Sequence, residues 1–82
     1  MIRIYSEPMT AVEVIQANRE TVVKAEDTNP PKSETRGTEY EIHFYGDLAE
    51  EVAQAIIPGA MFTFRGFMEN QRISARAYML VA

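Results

Sequence analysis

The chain has 82 residues, of which 46% are hydrophobic and 24% charged, as in one small globular domain. It contains no cysteine, which excludes a disulfide-stapled module, a thiolate nucleophile and a cysteine zinc site. Because no apolar run approaches the roughly 18–20 residues of a membrane span and no signal peptide is apparent, we expect a soluble, cytoplasmic protein (in the host cytoplasm, if viral).

Charge is distributed unevenly along the chain. Eight Lys and Arg against twelve Asp and Glu give a formal net charge of −4. The segment from Thr38 to Ile57 holds five acidic residues and no Lys or Arg, whereas the segment from Pro58 to Ala82 holds three arginines and one Glu. A basic surface is therefore expected only near the last strands, in spite of the overall acidity.

The first 26 residues have the β-branched, partly alternating composition of strands. Thr10–Ala17 and Thr21–Glu26 are predicted strands joined by a short polar turn. Pro8 disfavours a regular central strand, so Ile2–Tyr5 is either a separate short edge strand or precedes a bend. Asp27–Gly37 contains two prolines, Asn, Ser and Gly, which predicts an exposed loop between strands.

The segment Thr38–Tyr45 alternates more clearly than any other in the chain. Ile42 and Phe44 fall on one face together with Tyr40, and Tyr45 falls on the opposite face. We therefore expect the first face in the core and Tyr45 at the surface.

A helix is predicted immediately after this strand. Asp47 is a good N-cap, and Glu50 stands at the capping-box spacing behind it. An apolar stripe that includes Val52 and Ile56 would face the core. Pro58-Gly59 would end the helix.

Two further strands complete the predicted fold. They are Ala60–Arg65 and Ile73–Val81, with a tight turn at Glu69–Arg72 between them. Gly66 indicates a bulge or a close approach of two backbones. The order β-β-β-α-β-β over residues 1–82 predicts an all-β domain, a five-stranded OB-fold barrel with one helix between the third and fourth strands.

The sequence contains the run Tyr45-Gly46-Asp47-Leu48-Ala49-Glu50, the Thr38-Glu39 before it and an apolar strand that ends in Gly66. These three features resemble the bacterial and phage single-stranded DNA-binding proteins. The similarity covers residues 38–82, and the first 37 residues match only in being β-rich. The last hairpin is short, and neither Trp nor the acidic C-terminal tail of that family is present. The resemblance thus implies a minimal, phage- or plasmid-like version or a specialised replication accessory.

The resemblance also implies site residues. Tyr45 would stack on a base, Tyr40 resembles a second stacking position, and Thr63 and Arg65 resemble contacts to the nucleic-acid backbone. This strand is one residue shorter than usual between the Thr and the Gly, so Tyr40 would point to the core unless a bulge intervenes. Tyr45 is therefore the better candidate.

Single strands are bound by aromatic rings that stack on bases and by cations that follow the phosphates. Period two predicts that Arg76 and Tyr78 share a face of the last strand. Lys24 of the second strand could close over a ligand together with Lys32 and Arg36 of the loop. Such Arg and Lys residues are also compatible with an ordinary solubilising surface. The candidate nucleic-acid-binding residues are Tyr45, Tyr40, Tyr78, Lys24, Lys32, Arg36, Thr63, Arg65, Arg72 and Arg76.

No pattern in the sequence indicates catalysis, a metal site or a cofactor. His43 is the only histidine, and its strand face, shared with Glu41, suggests a weak surface pair. Glu50 and Glu51 lie at the start of the predicted helix, where carboxylates favour the positive end of the dipole. There is no Gly-rich phosphate loop and no hydrolase or metalloprotease motif.

These observations predict a non-enzymatic protein that binds single-stranded DNA with little sequence preference, in replication, recombination or repair. We expect a homo-oligomer (dimer or tetramer) with no membrane and no small-molecule substrate. One alternative is an OB-fold assembly or accessory subunit used for protein contacts, which the acidic balance favours. Another is an enzyme, which would need clustered titratable groups, or an OB domain that binds RNA or sugar. The choice between DNA and RNA depends on contacts to the 2′-hydroxyl.

Overall fold

The computed structural model describes residues 1–28 and 39–81, and within them it shows six strands and one helix. The elements are β1 (Ile2–Tyr5), β2 (Met9–Ala17), β3 (Glu20–Asp27), β4 (Glu39–Tyr45), α1 (Gly46–Ala55), β5 (Met61–Glu69) and β6 (Arg72–Leu80). The prediction of a mostly β chain with one helix is confirmed. The predicted count of five strands is wrong, and the helix follows the fourth strand of the chain, because Ile2–Tyr5 forms a strand of its own.

The five longer strands pair in a closed ring. β2 pairs with β3, β3 with β4, β5 with β6 and β5 with β2, and all four pairings are antiparallel. The ring closes through a parallel pairing of β4 with β6, in which Ile42 lies opposite Ile73 and His43 opposite Ser74. One face of every strand in the ring is thereby turned towards a common interior.

The short strand β1 lies along the same edge of β5 as β2. Tyr5 pairs with Arg65, and Met9 pairs with Phe62. Of the two alternatives that the sequence left for this segment, a separate strand is correct. Pro8, which has no backbone N–H, lies in the break between β1 and β2 and explains why the two do not form one regular strand.

The interior of the ring is apolar. Phe44 and Phe62 are fully buried, as the alternation of their strands predicts. Further fully buried side chains come from β3, β4, α1 and the residue after it: Val23, Ile42, Val52 and Ile56. The helix is fixed to β3 by the buried hydroxyl of Thr21, which donates a 2.7 Å hydrogen bond to the carbonyl of Ala49.

The helix begins two residues earlier than predicted. Tyr45 occupies the N-cap position without a side-chain capping bond, and Gly46 is the first helical residue. Gly46 has a φ of +65°, a conformation that glycine adopts without a steric cost, and its N–H donates to the carbonyl of Arg19 at 3.0 Å. The prediction that Asp47 caps the helix, with Glu50 completing a capping box, is therefore wrong. Asp47 lies in the first turn, where its charge still favours the helix dipole.

Gly66 marks both a bulge and a close backbone approach, as predicted. Arg65 pairs with Ala77 and Gly66 pairs with Ala75, so that Arg76 is an extra residue in β6. A Cβ atom on Gly66 would lie 2.2 Å from the carbonyl oxygen of Ser74, so only glycine fits here.

The bulge changes the face on which the residues of β6 lie. Arg76 is exposed, whereas Tyr78 is half-buried against the core and meets Phe44 edge-on, with ring centroids 6.3 Å apart. The prediction that Arg76 and Tyr78 share a face is wrong, because one extra residue reverses the alternation.

The remaining differences concern boundaries. Asn70 and Gln71 form the turn between β5 and β6 with φ of 52° and 65°, as in the two-residue hairpin turns that favour positive φ. Asp27, predicted to begin a loop, is the last residue of β3. The rest of that predicted loop up to Gly37, apart from Thr28, lies outside the described residues, as does Thr38. Within the described residues no helix has the length and apolarity to cross a membrane.

Candidate nucleic-acid interface

Arginines and aromatic rings alternate on the outer surface of β1, β5 and β6. Arg3 and Tyr5 of β1 lie opposite Phe67 and Arg65 of β5. Arg76, displaced outward by the bulge, reaches over Phe67 with its Cζ 5.7 Å from the ring centroid. These five residues line one shallow cleft of about 360 Å³, and we refer to them as the basic face.

Two neighbouring clefts extend the basic face into a continuous strip. One shares Tyr5 and Arg65 with it and continues over Thr63 and Met79. The other shares Arg76 and continues to Tyr45 at the end of β4. The strip therefore crosses the outer surface from β1 to β4.

The strip is free of acidic side chains within the described residues. None of its three clefts is lined by Asp or Glu. Arg3, Arg65 and Arg76 form no ion pair with any other described residue. By contrast, Glu39 and Glu41 line a separate cleft beside β4. His43 and Arg72 also line that cleft, so the negative charge adjoins the strip at its β4 end.

Tyr45 is 41% exposed, in agreement with the prediction from alternation. The ring of His43 lies nearly parallel to it, at an interplanar angle of 15° and a centroid distance of 6.2 Å. The guanidinium of Arg72 lies over the Tyr45 ring, with Cζ 5.9 Å from the centroid. Tyr45 is therefore accompanied by two further planar groups.

The carboxylate of Glu20 contacts both of these groups. Its Oε1 lies 3.1 Å from Nδ1 of His43 and 3.5 Å from Nη2 of Arg72, and these two nitrogens are 3.3 Å apart. Because Nδ1 cannot donate to Glu20 and accept from Arg72 at once, a consistent network has both nitrogens donating to the carboxylate. The sequence suggested Glu41 as the partner of His43, but in the structure that partner is Glu20 on β3.

Three predicted site residues lie away from the strip or turn inward. Lys24 forms a 3.8 Å ion pair with Glu13 and lies on β3, which is two strands from both β5 and β6 in the ring. Tyr40 is half-buried against the core. Tyr78 lines one cleft of the strip but packs against the core: burial raises the pKa of its hydroxyl, and the hydrogen-bonded Glu51 carboxylate raises that pKa further.

The structure thus brings together Tyr45, Thr63, Arg65, Arg76 and Tyr78 of the predicted set along the strip. Arg72 lies over Tyr45 but lines the neighbouring cleft with Tyr40. Lys32 and Arg36 lie outside the described residues.

Sequence reasoning missed Arg3, Tyr5 and Phe67. Tyr5 is 68% exposed, and its separation of two residues from Arg3 indicates a shared strand face. That signal was present in the sequence, but only the pairing of β1 with β5 shows that this face adjoins Phe67.

The described residues contain no group of three or more His, Cys, Asp or Glu side chains that could hold a metal ion. No model of a known protein family matches the chain, and comparison with curated proteins finds no significant match.

Proposed function

We propose that this protein is an OB-fold domain that binds single-stranded DNA with little sequence preference, in replication, recombination or repair. The ring of five strands supports the fold assignment, because α1 lies between the third and fourth strands of that ring. A barrel of five strands with an oligonucleotide site on its outer surface is the usual form of this fold. The short strand β1 is an addition that extends the surface.

The observation that carries the proposal is the basic face. Its three arginines have no carboxylate partner among the described residues and alternate with Tyr5 and Phe67. Stacking of bases on aromatic rings and neutralisation of phosphates by cations are the two contributions that single-strand binding needs. An ordinary solubilising surface would not require an exposed Tyr5 ring and a half-buried Phe67 ring between the arginines.

The strip has the dimensions of a small binding site. Three strand spacings of about 4.8 Å separate β1 from β4, which gives about 14 Å across the sheet. This favours the lower end of the range of about 4–16 nucleotides per OB fold. With about three phosphates neutralised, the logarithm of the affinity should fall with the logarithm of salt concentration at a slope of about −2.

Titration of fluorescently labelled dT30 at low and moderate salt tests the proposal. We expect micromolar or tighter binding that weakens with salt and quenches tyrosine fluorescence. Parallel titration of rU30 distinguishes DNA from RNA, because only RNA offers the 2′-hydroxyl. Absence of binding to dT30 at low salt would overturn the proposed function and favour the protein-contact alternative.

Two charge variants locate the interface. Arg76→Gln should weaken binding and reduce the salt slope by about one. Lys24→Gln removes the same charge from the other side of the ring, where Glu13 already pairs with it, and should leave binding nearly unchanged. Equal losses in the two variants would place the binding surface elsewhere.

Self-association is part of the same proposal. Large apolar side chains are exposed on several parts of the chain: Ile2, Val12, Ile15, Ile57, Met79 and Leu80. Covering some of them between copies would remove apolar surface from water, which a domain of this size can use for stability. Light scattering over a range of concentrations should give a dimer or tetramer, and a monomer at all concentrations would contradict this part of the proposal.

A further inference from the structure

The groups around Tyr45 form a slot with two walls. The His43 ring centroid and the Arg72 Cζ stand 6.2 and 5.9 Å from the Tyr45 centroid. Groups at those distances on opposite faces of the ring would be about 12 Å apart, whereas Nδ1 of His43 and Nη2 of Arg72 are 3.3 Å apart. Both therefore lie on the same side of Tyr45 and face it as one wall.

Arg72 is not centred in flush contact on the Tyr45 ring. Such a contact would bring its Cζ to about 3.5–4 Å from the centroid, whereas the distance is 5.9 Å. A base between two planar groups needs about 7 Å between them. Glu20 contacts Arg72 at 3.5 Å, and the Arg72 side chain is 54% exposed, so it has room to shift and admit a base.

The charges around the slot favour a base over a phosphate. Glu20 neutralises Arg72 at 3.5 Å, and Glu41 lies two residues from His43 on the same strand face. A phosphate placed here would meet these carboxylates, whereas the unpaired Arg76 offers it a free cation in the adjoining cleft. Arg72 is thus better suited to offer its plane than its charge.

We infer that one nucleobase of the single strand is inserted between Tyr45 and the His43–Arg72 wall, with Glu20 as the positioning residue for Arg72. This inference rests on the proposed function and assigns Arg72 a stacking role in place of a phosphate contact. Guanidinium planes and aromatic rings both stack on unpaired bases.

A double-mutant cycle tests the slot with dT30 as the probe. Tyr45→Ala should weaken binding by about tenfold, the order expected for one stacked base. Arg72→Lys keeps the charge but loses the plane, and should weaken binding nearly as much as Arg72→Ala. Once Tyr45 is replaced by Ala, a further Arg72→Lys change should have little effect, because the base has already lost one wall.

The matched control is Lys24→Arg, which exchanges the same two residue types and keeps the charge, at a position on β3 away from the strip where Glu13 pairs with the side chain. It should bind dT30 like the unmodified protein. On an abasic oligomer of the same length, which keeps the phosphates but has no bases, Arg72→Lys should also have no effect. Thermal unfolding of each variant confirms that its fold is retained.

The outcomes separate this inference from the proposed function. Failure of the unmodified protein to bind dT30 would remove both. If it binds but Arg72→Lys leaves the affinity for dT30 unchanged, the inferred base slot is wrong while single-strand binding stands. The same holds if the effects of the Tyr45 and Arg72 substitutions on affinity simply add. Arg72 would then be a phosphate contact only.

Discussion

Ser6 and Phe64 are joined by two hydrogen bonds across the break between β1 and β2. The N–H of Ser6 donates to the carbonyl of Phe64 at 2.9 Å, and the N–H of Phe64 donates to the Ser6 hydroxyl at 2.7 Å. One serine thereby satisfies both backbone groups of Phe64 at the point where the regular ladder is interrupted. This contact keeps β1, with its Arg3 and Tyr5, attached to the side of β5.

Ser6→Ala should lower the free energy of unfolding by about 1–2 kcal/mol, because the N–H of Phe64 loses its acceptor in a half-buried position. Urea denaturation measures the effect. Ser74→Ala is the control, since its hydroxyl forms no hydrogen bond with a described residue. Equal stability of the two variants would show that the Ser6 hydroxyl contributes nothing.

Gly66→Ala should destabilise the protein by about 3 kcal/mol or prevent its folding. The added Cβ would meet the Ser74 carbonyl oxygen and lie 2.7 Å from the Cα of Ala75, both backbone atoms of the paired strand. Gly59→Ala is the comparison, because its φ of +93° is strained for alanine but no atom lies within 4 Å. Thermal unfolding should rank Gly66→Ala as clearly worse, and the reverse order would contradict the close approach.

Gln71→Gly should stabilise the protein by up to about 1 kcal/mol, because a non-glycine residue with positive φ is strained. Gln71 has a φ of 65° at the exposed tip of the β5–β6 hairpin. Gln54→Gly, at an exposed position within α1, should instead destabilise by about 1 kcal/mol. A loss of stability in Gln71→Gly, measured by urea denaturation, would contradict the strain at this turn.

Tyr78 should make stability depend on pH in alkaline solution. Its pKa in the folded state is raised by burial and by Glu51, so the unfolded chain loses the proton first. The contribution of Tyr78 to the free energy of unfolding is therefore complete below about pH 10, the ordinary tyrosine pKa, and is lost as pH rises through the folded-state pKa.

Unfolding measured from about pH 9 to about pH 11.5, a range that brackets the ordinary tyrosine pKa, should show a shallower decline in Tyr78→Phe than in the unmodified protein. Glu51→Gln should reduce the decline in part, since it removes only the secondary cause of the shift. Identical pH profiles for all three proteins would show that Tyr78 does not titrate differently in the two states.

Local patterns in the sequence predicted much of the fold. The alternation of β4 identified Ile42 and Phe44 as core and Tyr45 as exposed, because side chains of a strand point to its two faces in turn. Gly66 was recognised as a special backbone position, because glycine weakens a strand interior and usually marks a bulge or a close backbone approach there. These features depend on a residue and its near neighbours only.

The candidate site was predicted less completely, because it depends on pairings between distant segments. Arg3 lies opposite Phe67 only because β1 pairs with β5. The contact of Glu20 with His43 and Arg72 joins three strands, and no local pattern indicates it. The predicted face of Tyr78 was wrong because a single extra residue at Arg76 reversed the alternation of β6.

The ring of strands is joined at two narrow seams. β2 meets β5 over two residue pairs, and β4 meets β6 over the two pairs that include Ile73 and Ser74. The Tyr45–Arg72 slot lies at the second of these seams, because Tyr45 ends β4 and Arg72 begins β6. A base held in the slot would therefore add a connection between two strands that share only two residue pairs.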